Sequence, residues 1–122
     1  MRFLKSLNYA WQGIRYCLRF EKNFRIQATV VLITVVCGIL FRINFIEWII
    51  IIFCWAFVLA IEIINTAIEK LSDIVNASIH PVIKQVKDLS AGAVLLASIM
   101  SFIIGCIIFL PKINPLIKYI FK

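Results

Sequence analysis

Residues 45–73 read FIEWIIIIFCWAFVLAIEIINTAIEKLSD. The first part, Phe45–Ile64, is an apolar run as long as the roughly 20 residues a membrane-crossing helix needs. The second part, Glu62–Asp73, gathers carboxylates at the end of that run. The chain of 122 residues has only six acidic groups, and Glu62, Glu69 and Asp73 are three of them. At about 100° per residue, Glu69 lies about 20° to one side of Glu62 and Asp73 about 20° to the other, with Asn65 about 60° away. The spacing therefore predicts one helix that carries a polar stripe out of an apolar segment, flanked by Thr66.

Working outward, Ile26–Phe41 (IQATVVLITVVCGILF) and Leu89–Leu110 (LSAGAVLLASIMSFIIGCIIFL) are two further apolar runs. The first reaches spanning length once it is extended back through Phe24, with Arg25 snorkelling to the interface. Hydrophobic residues make up 63% of the chain. One aqueous core cannot bury that much apolar surface in so short a chain, so lipid is its solvent. The expected fold class is all-α and membrane-embedded, with spans at about residues 24–41, 45–64 and 89–110 in a single domain of residues 1–122.

The N-terminal segment has a different pattern. Phe3, Leu7, Ala10, Trp11, Ile14, Cys17 and Leu18 recur at spacings of three and four, with Lys5, Gln12, Arg15, Arg19 and Lys22 largely between them. This predicts an amphipathic helix over about residues 1–22, with a basic face suited to anionic headgroups. No compact apolar core with a small-residue cleavage site follows the basic start, so no signal peptide is expected. The stretch from Lys70 to Asp88 is expected to be a polar loop broken near Ile79-His80-Pro81. Pro111 and Pro115 are expected to stop the third span.

Three spans place the N-terminus and the Lys70–Asp88 stretch on one side. Arg2, Lys5, Arg15, Arg19, Lys22, Arg25, Lys70, Lys84 and Lys87 lie there, against Arg42, Lys112, Lys118 and Lys122 on the other. The positive-inside rule then puts the N-terminus in the cytoplasm, where ATP is available. Nucleic acid is not an expected partner, because no soluble basic face remains once the apolar runs are buried. Cys17, Cys37, Cys54 and Cys106 form no CxxC pair and read as small buried hydrophobes.

Glu62 is the unusual residue, since a carboxylate at the edge of the bilayer costs a few kcal/mol on insertion scales. Its position suits a general base. Glu21 and Asn23, with Lys87 and Asp88, fall at the same level as Glu69. Two carboxylates meeting there suit Mg²⁺, an ion often held by one or two carboxylates plus phosphate oxygens, and Lys87 can balance phosphate charge. With no GxxxxGK[ST] loop and no kinase Gly-rich loop, phosphoryl transfer must use side chains on membrane helices. Two other readings stay open on these residues. An ion-coupled channel or transporter subunit also carries lone intramembrane carboxylates, and an acidic stripe can dock a partner protein.

EIINTAIEKLSD (Glu62–Asp73) closely resembles the signature of the small prokaryotic diacylglycerol kinase family. The likeness extends through Ala10-Trp11-Gln12-Gly13 with Arg15, through Glu21-Lys22-Asn23-Phe24-Arg25, and through Lys87-Asp88-Leu89-Ser90-Ala91-Gly92-Ala93-Val94. The resemblance implies a homotrimer of three-span subunits in the bacterial cytoplasmic membrane, which transfers the γ-phosphate of ATP to a lipid hydroxyl with Mg²⁺. It implies Glu62 as the catalytic base and Glu21 and Glu69 as metal ligands. Arg2, Tyr9, Ser78, Ile79, His80, Lys87 and Asp88 fall where the family contacts nucleotide, together with Glu21 and Glu69. Asn65 falls at a position essential to the site, and Asp73 supports it. Asn23, Phe24, Arg25, Ile26, Gln27, Trp48, Ala91 and Glu62 fall near the lipid. Gln27 stands where diacylglycerol-specific members commonly carry glutamate. Ile46-Glu47-Trp48, His80-Pro81 and Phe109-Leu110-Pro111-Lys112 look more like the undecaprenol kinase branch. That implies undecaprenol as acceptor, with diacylglycerol as the alternative.

Overall fold

The computed structural model describes residues 1–75 and 81–121. All its regular structure is helical: α1 (Arg2–Phe20), α2 (Lys22–Leu40), α3 (Phe45–Ile74) and α4 (Val82–Ile120). The last three are long and apolar enough to cross a membrane. α3 is the central helix and packs against each of the others. Most large apolar side chains face outward, among them Leu32, Phe53, Leu96 and Phe102. Beside a few buried apolar residues, the interior of the protomer holds a polar group: Glu62, Asn65, Thr66, Ser72 and Ser90 are all buried.

Each helix boundary has a local cause. Glu21 breaks α1 from α2 by adopting extended backbone, with φ −104° and ψ 109°. α2 ends in a Schellman turn: Arg42 N–H donates to the Ile39 carbonyl at 3.3 Å and Ile43 N–H to the Gly38 carbonyl at 3.2 Å. Arg42 supplies the left-handed residue of that turn, at φ 51°. α3 opens two residues later with a capping box, in which the Asn44 side chain accepts from Glu47 N–H at 2.9 Å and the Glu47 side chain accepts from Asn44 N–H at 3.0 Å. The same end packs Ile43, Ile51 and Ile108 together with Trp48, Trp55 and Phe109.

Two sequence expectations need correction. The Lys70–Asp88 stretch is largely helix, not loop, because α3 continues to Ile74 and α4 already begins at Val82. Ile79 and His80, where the break was expected, lie outside the described residues. Pro111 and Pro115 do not stop α4, which runs on to Ile120. Each proline removes one backbone hydrogen bond and crowds the carbonyl four residues back, costing about 3 kcal/mol in an isolated helix. Tertiary contacts gather around the first of them. Lys112, between the prolines, donates to both Glu47 carboxylate oxygens at 3.0 and 2.8 Å and lies 3.4 Å from the Ile108 carbonyl. Neighbouring Phe109 packs on Phe41, with ring centroids 6.0 Å apart.

Candidate active site

The polar stripe of α3 runs from the protein interior to its surface. Glu62 is only 3% exposed, Asn65 and Thr66 are also buried, and Glu69 and Asp73 emerge at the open end. Helical spacing alone makes this gradient, since four residues advance the chain by about 6 Å. The Thr66 hydroxyl donates to the Glu62 carbonyl at 3.1 Å. Cys17, from α1, lies beside Thr66 and within electrostatic reach of Glu62 and Glu21. Burial, above all, pushes the Cys17 thiol above its ordinary value, so it stands there as a neutral group.

Glu21 is brought to this stripe from the α1–α2 corner. Glu69 and Glu21 both lie within electrostatic reach of Glu62. Lys87, from α4, donates to Asp73 at 2.6 Å and lies within electrostatic reach of Glu69. Asp88 is turned away into an ion pair with Lys84 at 2.8 Å, so the adjacent residues Lys87 and Asp88 have separate partners. Asn65 sits between two elements: its amide nitrogen donates to Glu69 at 3.2 Å, and its oxygen accepts from the Ser90 hydroxyl of α4 at 2.7 Å.

Among the described residues, no group of three or more His, Cys, Asp or Glu side chains is arranged to hold a metal ion. The donor set nonetheless fits Mg²⁺ shared with a phosphate chain. Glu21 and Glu69 offer hard carboxylate oxygens within electrostatic reach of Glu62. Mg²⁺ is usually bound by one or two carboxylates plus substrate phosphates, not by an all-protein cage.

The other sequence candidates are more scattered. Arg2 and Tyr9 lie on exposed α1, and no hydrogen bond or ion pair ties either to the carboxylates among the described residues. Ser78, Ile79 and His80 lie outside the described residues. Asn23 is exposed at the start of α2, whereas Phe24 is buried in the protomer. Arg25 donates to the Arg19 carbonyl at 3.0 Å. Ile26 and Ala91 are exposed. Gln27 donates to Ser98 at 3.3 Å at the rim of an apolar groove of about 410 Å³ between α2 and α4, with α3 behind it. Trp48 lies at the far end of α3, about 21 Å along the axis from Glu62.

A family model described as prokaryotic diacylglycerol kinase matches residues 8–109. The chain belongs to this family. Curated relatives agree over nearly all its length. The undecaprenol kinase of Bacillus subtilis (strain 168) is 40% identical over 112 residues, covering 92% of this chain and 91% of the relative. A diacylglycerol kinase of Synechocystis sp. is 34% identical over 114 residues, covering 93% of this chain and 65% of that protein. The diacylglycerol kinase of Escherichia coli (strain K12) is 32% identical over 107 residues, 88% of each chain. As a member of the prokaryotic diacylglycerol kinase family, the protein is a lipid kinase, and its three long apolar helices fit a multi-pass membrane protein.

Three residues that sequence patterns leave without a role join this site from other helices. Ser90 stands inside a matched block. Tyr16 receives a hydrogen bond from Lys70, whose ammonium also lies 4.3 Å from the Tyr16 ring centroid, so α1 is fastened to α3 beside Glu69. Ser98 answers Gln27. A serine one turn along from Lys87 is visible in sequence. That it meets Asn65, 25 positions away, is not.

Proposed function

We propose that the protein phosphorylates undecaprenol at the cytoplasmic face of the bacterial cell membrane, giving undecaprenyl phosphate, with ATP as donor. The observation that carries this reading is the buried Glu62 flanked by Glu21 and Glu69, with Lys87 at the open end of the same stripe. Glu62 takes the proton from the lipid hydroxyl as that oxygen forms its bond to the γ-phosphorus. The bond from phosphorus to the β–γ bridging oxygen breaks, and ADP leaves. Glu21 and Glu69 would hold Mg²⁺, which when bound would supply positive charge to the phosphates. Lys87 neutralises a further part of the phosphate charge, so catalysis is mainly positioning and electrostatics. Arg2, Tyr9, residues 78–80 and Asp88 serve the nucleotide. Asn23–Gln27, Trp48 and Ala91 serve the lipid, whose tail is long enough to pass along the groove below Gln27.

α1 lies on the membrane surface with its arginines toward the headgroups, and the excess of Lys and Arg on its side makes that side cytoplasmic. Residues 1–122 act as one domain, assembled as a homotrimer. Support comes from α3, where Ile46, Ile50, Phe53, Phe57, Ala60, Ile64, Ala67, Leu71 and Ile74 alternate at spacings of four and three and are all exposed in the protomer. That is the seam of a left-handed helix bundle. Leu71 is 65% and Ile74 81% exposed beside the charged Lys70 and Asp73, beyond the apolar run that lipid covers. A second copy of α3 is the natural cover, and Leu71→Glu is expected to dissociate the assembly by light scattering in detergent.

Undecaprenol is favoured as acceptor by the 40% identical relative of that name and by Gln27 at the groove rim. Diacylglycerol is the second reading, favoured by the family description and the other relatives. Purified protein offered ATP and Mg²⁺ with undecaprenol, diacylglycerol or ceramide separately decides between them. Faster initial rates on diacylglycerol would overturn the choice. Proton flux without ATP in proteoliposomes would revive the ion-coupled reading.

A further inference from the structure

Ser90 and Asn65 are both buried, one on α4 and the other on α3. The order of donors and acceptors between them is fixed by chemistry. The Asn65 amide nitrogen donates to a Glu69 carboxylate oxygen at 3.2 Å. The amide oxygen then faces Ser90 at 2.7 Å, and the Ser90 hydroxyl must donate. The terminal torsion of asparagine is otherwise broad, with nothing intrinsic to hold it. Without the Ser90 donor the Asn65 oxygen would be buried and unpaired, a state costly enough to turn the amide away.

We propose that Ser90 is a positioning residue for phosphoryl transfer: its hydroxyl locks the Asn65 amide, and the locked amide aims the Glu69 carboxylate. The relay also ties α4 to α3 one turn from Lys87, so the carboxylate and the ammonium that face the phosphates share one support. Glu69 is exposed at the stripe's open end and Ser90 is buried, so Ser90 acts through Asn65 and not on the ligand itself. The proposal rests on the reading of Glu69 as a ligand of the nucleotide's metal.

The test is Mn²⁺ binding, followed by electron paramagnetic resonance with a non-hydrolysable ATP analogue, on the full-length protein in detergent. Wild type, Ser90→Ala, Glu69→Gln and the double variant are compared. Ser90→Ala is expected to weaken Mn²⁺ binding about three- to tenfold, Glu69→Gln to weaken it more, and the double variant to match Glu69→Gln alone. A packing role for Ser90 would instead give additive losses. Wild-type affinity in Ser90→Ala, or additivity in the double variant, overturns the proposal while leaving Glu69 in its role. Wild-type affinity in Glu69→Gln overturns the Glu69 assignment and the relay with it. If Ser90→Ala does not assemble, Ser90→Cys, of similar size with a weak donor, takes its place in the comparison: weaker Mn²⁺ binding that is not additive with Glu69→Gln supports the relay, and wild-type affinity or additivity overturns it.

Discussion

Lys87 Nζ lies 2.6 Å from Asp73 Oδ1, an ion pair that joins the end of α3 to the start of α4 across residues 76–80. The two side chains are 40% and 67% exposed, so solvent screens the pair and it contributes little to stability. Its effect is to hold an ammonium beside Glu69. Asp73→Asn is expected to leave the thermal midpoint in detergent within a few degrees of wild type and to raise the KM for ATP severalfold. A large loss of stability at unchanged KM would contradict this.

Glu62 stands in the interior, where only one carboxylate of the stripe is out of reach of bulk water. Glu62→Gln keeps the shape and removes the proposed base. Turnover is expected to fall by about a hundredfold or more, while fluorescent-nucleotide binding and the helical circular dichroism signal stay near wild type. Near-normal turnover would remove Glu62 from the mechanism.

Glu47 and Lys112, 18% and 27% exposed, form the pair at the other end of the bundle. Glu47 also completes the cap of α3. Glu47→Ala therefore loses cap and ion pair together and is expected to lower the unfolding midpoint clearly. Lys112→Met keeps the cap and should cost less. Denaturation in mixed detergent measures both, and equal costs would deny the cap its separate share.

Gly38 is needed for close approach. A Cβ there would sit 2.7 Å from the Trp48 ring, which is itself packed edge-on to Trp55 at 6.3 Å. Gly38→Ala is expected to destabilise the protein by about 1–3 kcal/mol without changing the rate per folded molecule on a short-chain lipid. An unchanged thermal midpoint would mean that Trp48 moves aside freely.

The three long apolar helices and the stripe of Glu62, Asn65, Glu69 and Asp73 are legible without any tertiary information. Both are local: apolar run length sets a span, and a fixed turn of about 100° per residue decides which side chains share a face. The matched blocks also made the family legible, because they extend over nearly the whole chain. Which groups meet across helices is set by packing. Lys87 goes to Asp73, 14 positions away, and Asp88 to Lys84, although Lys87 and Asp88 are neighbours in sequence. Ser90 reaches Asn65, and Lys112 reaches Glu47 from 65 positions away. α4 continues through Pro111 and Pro115 to Ile120, with Lys112 and Phe109 tying the turns around Pro111 to Glu47 and Phe41, a non-local contribution that proline's own preference does not contain. The stripe fixed a face of one helix. Packing buried Glu62 and left Glu69 and Asp73 at the surface, with Glu21 and Lys87 brought in from other helices.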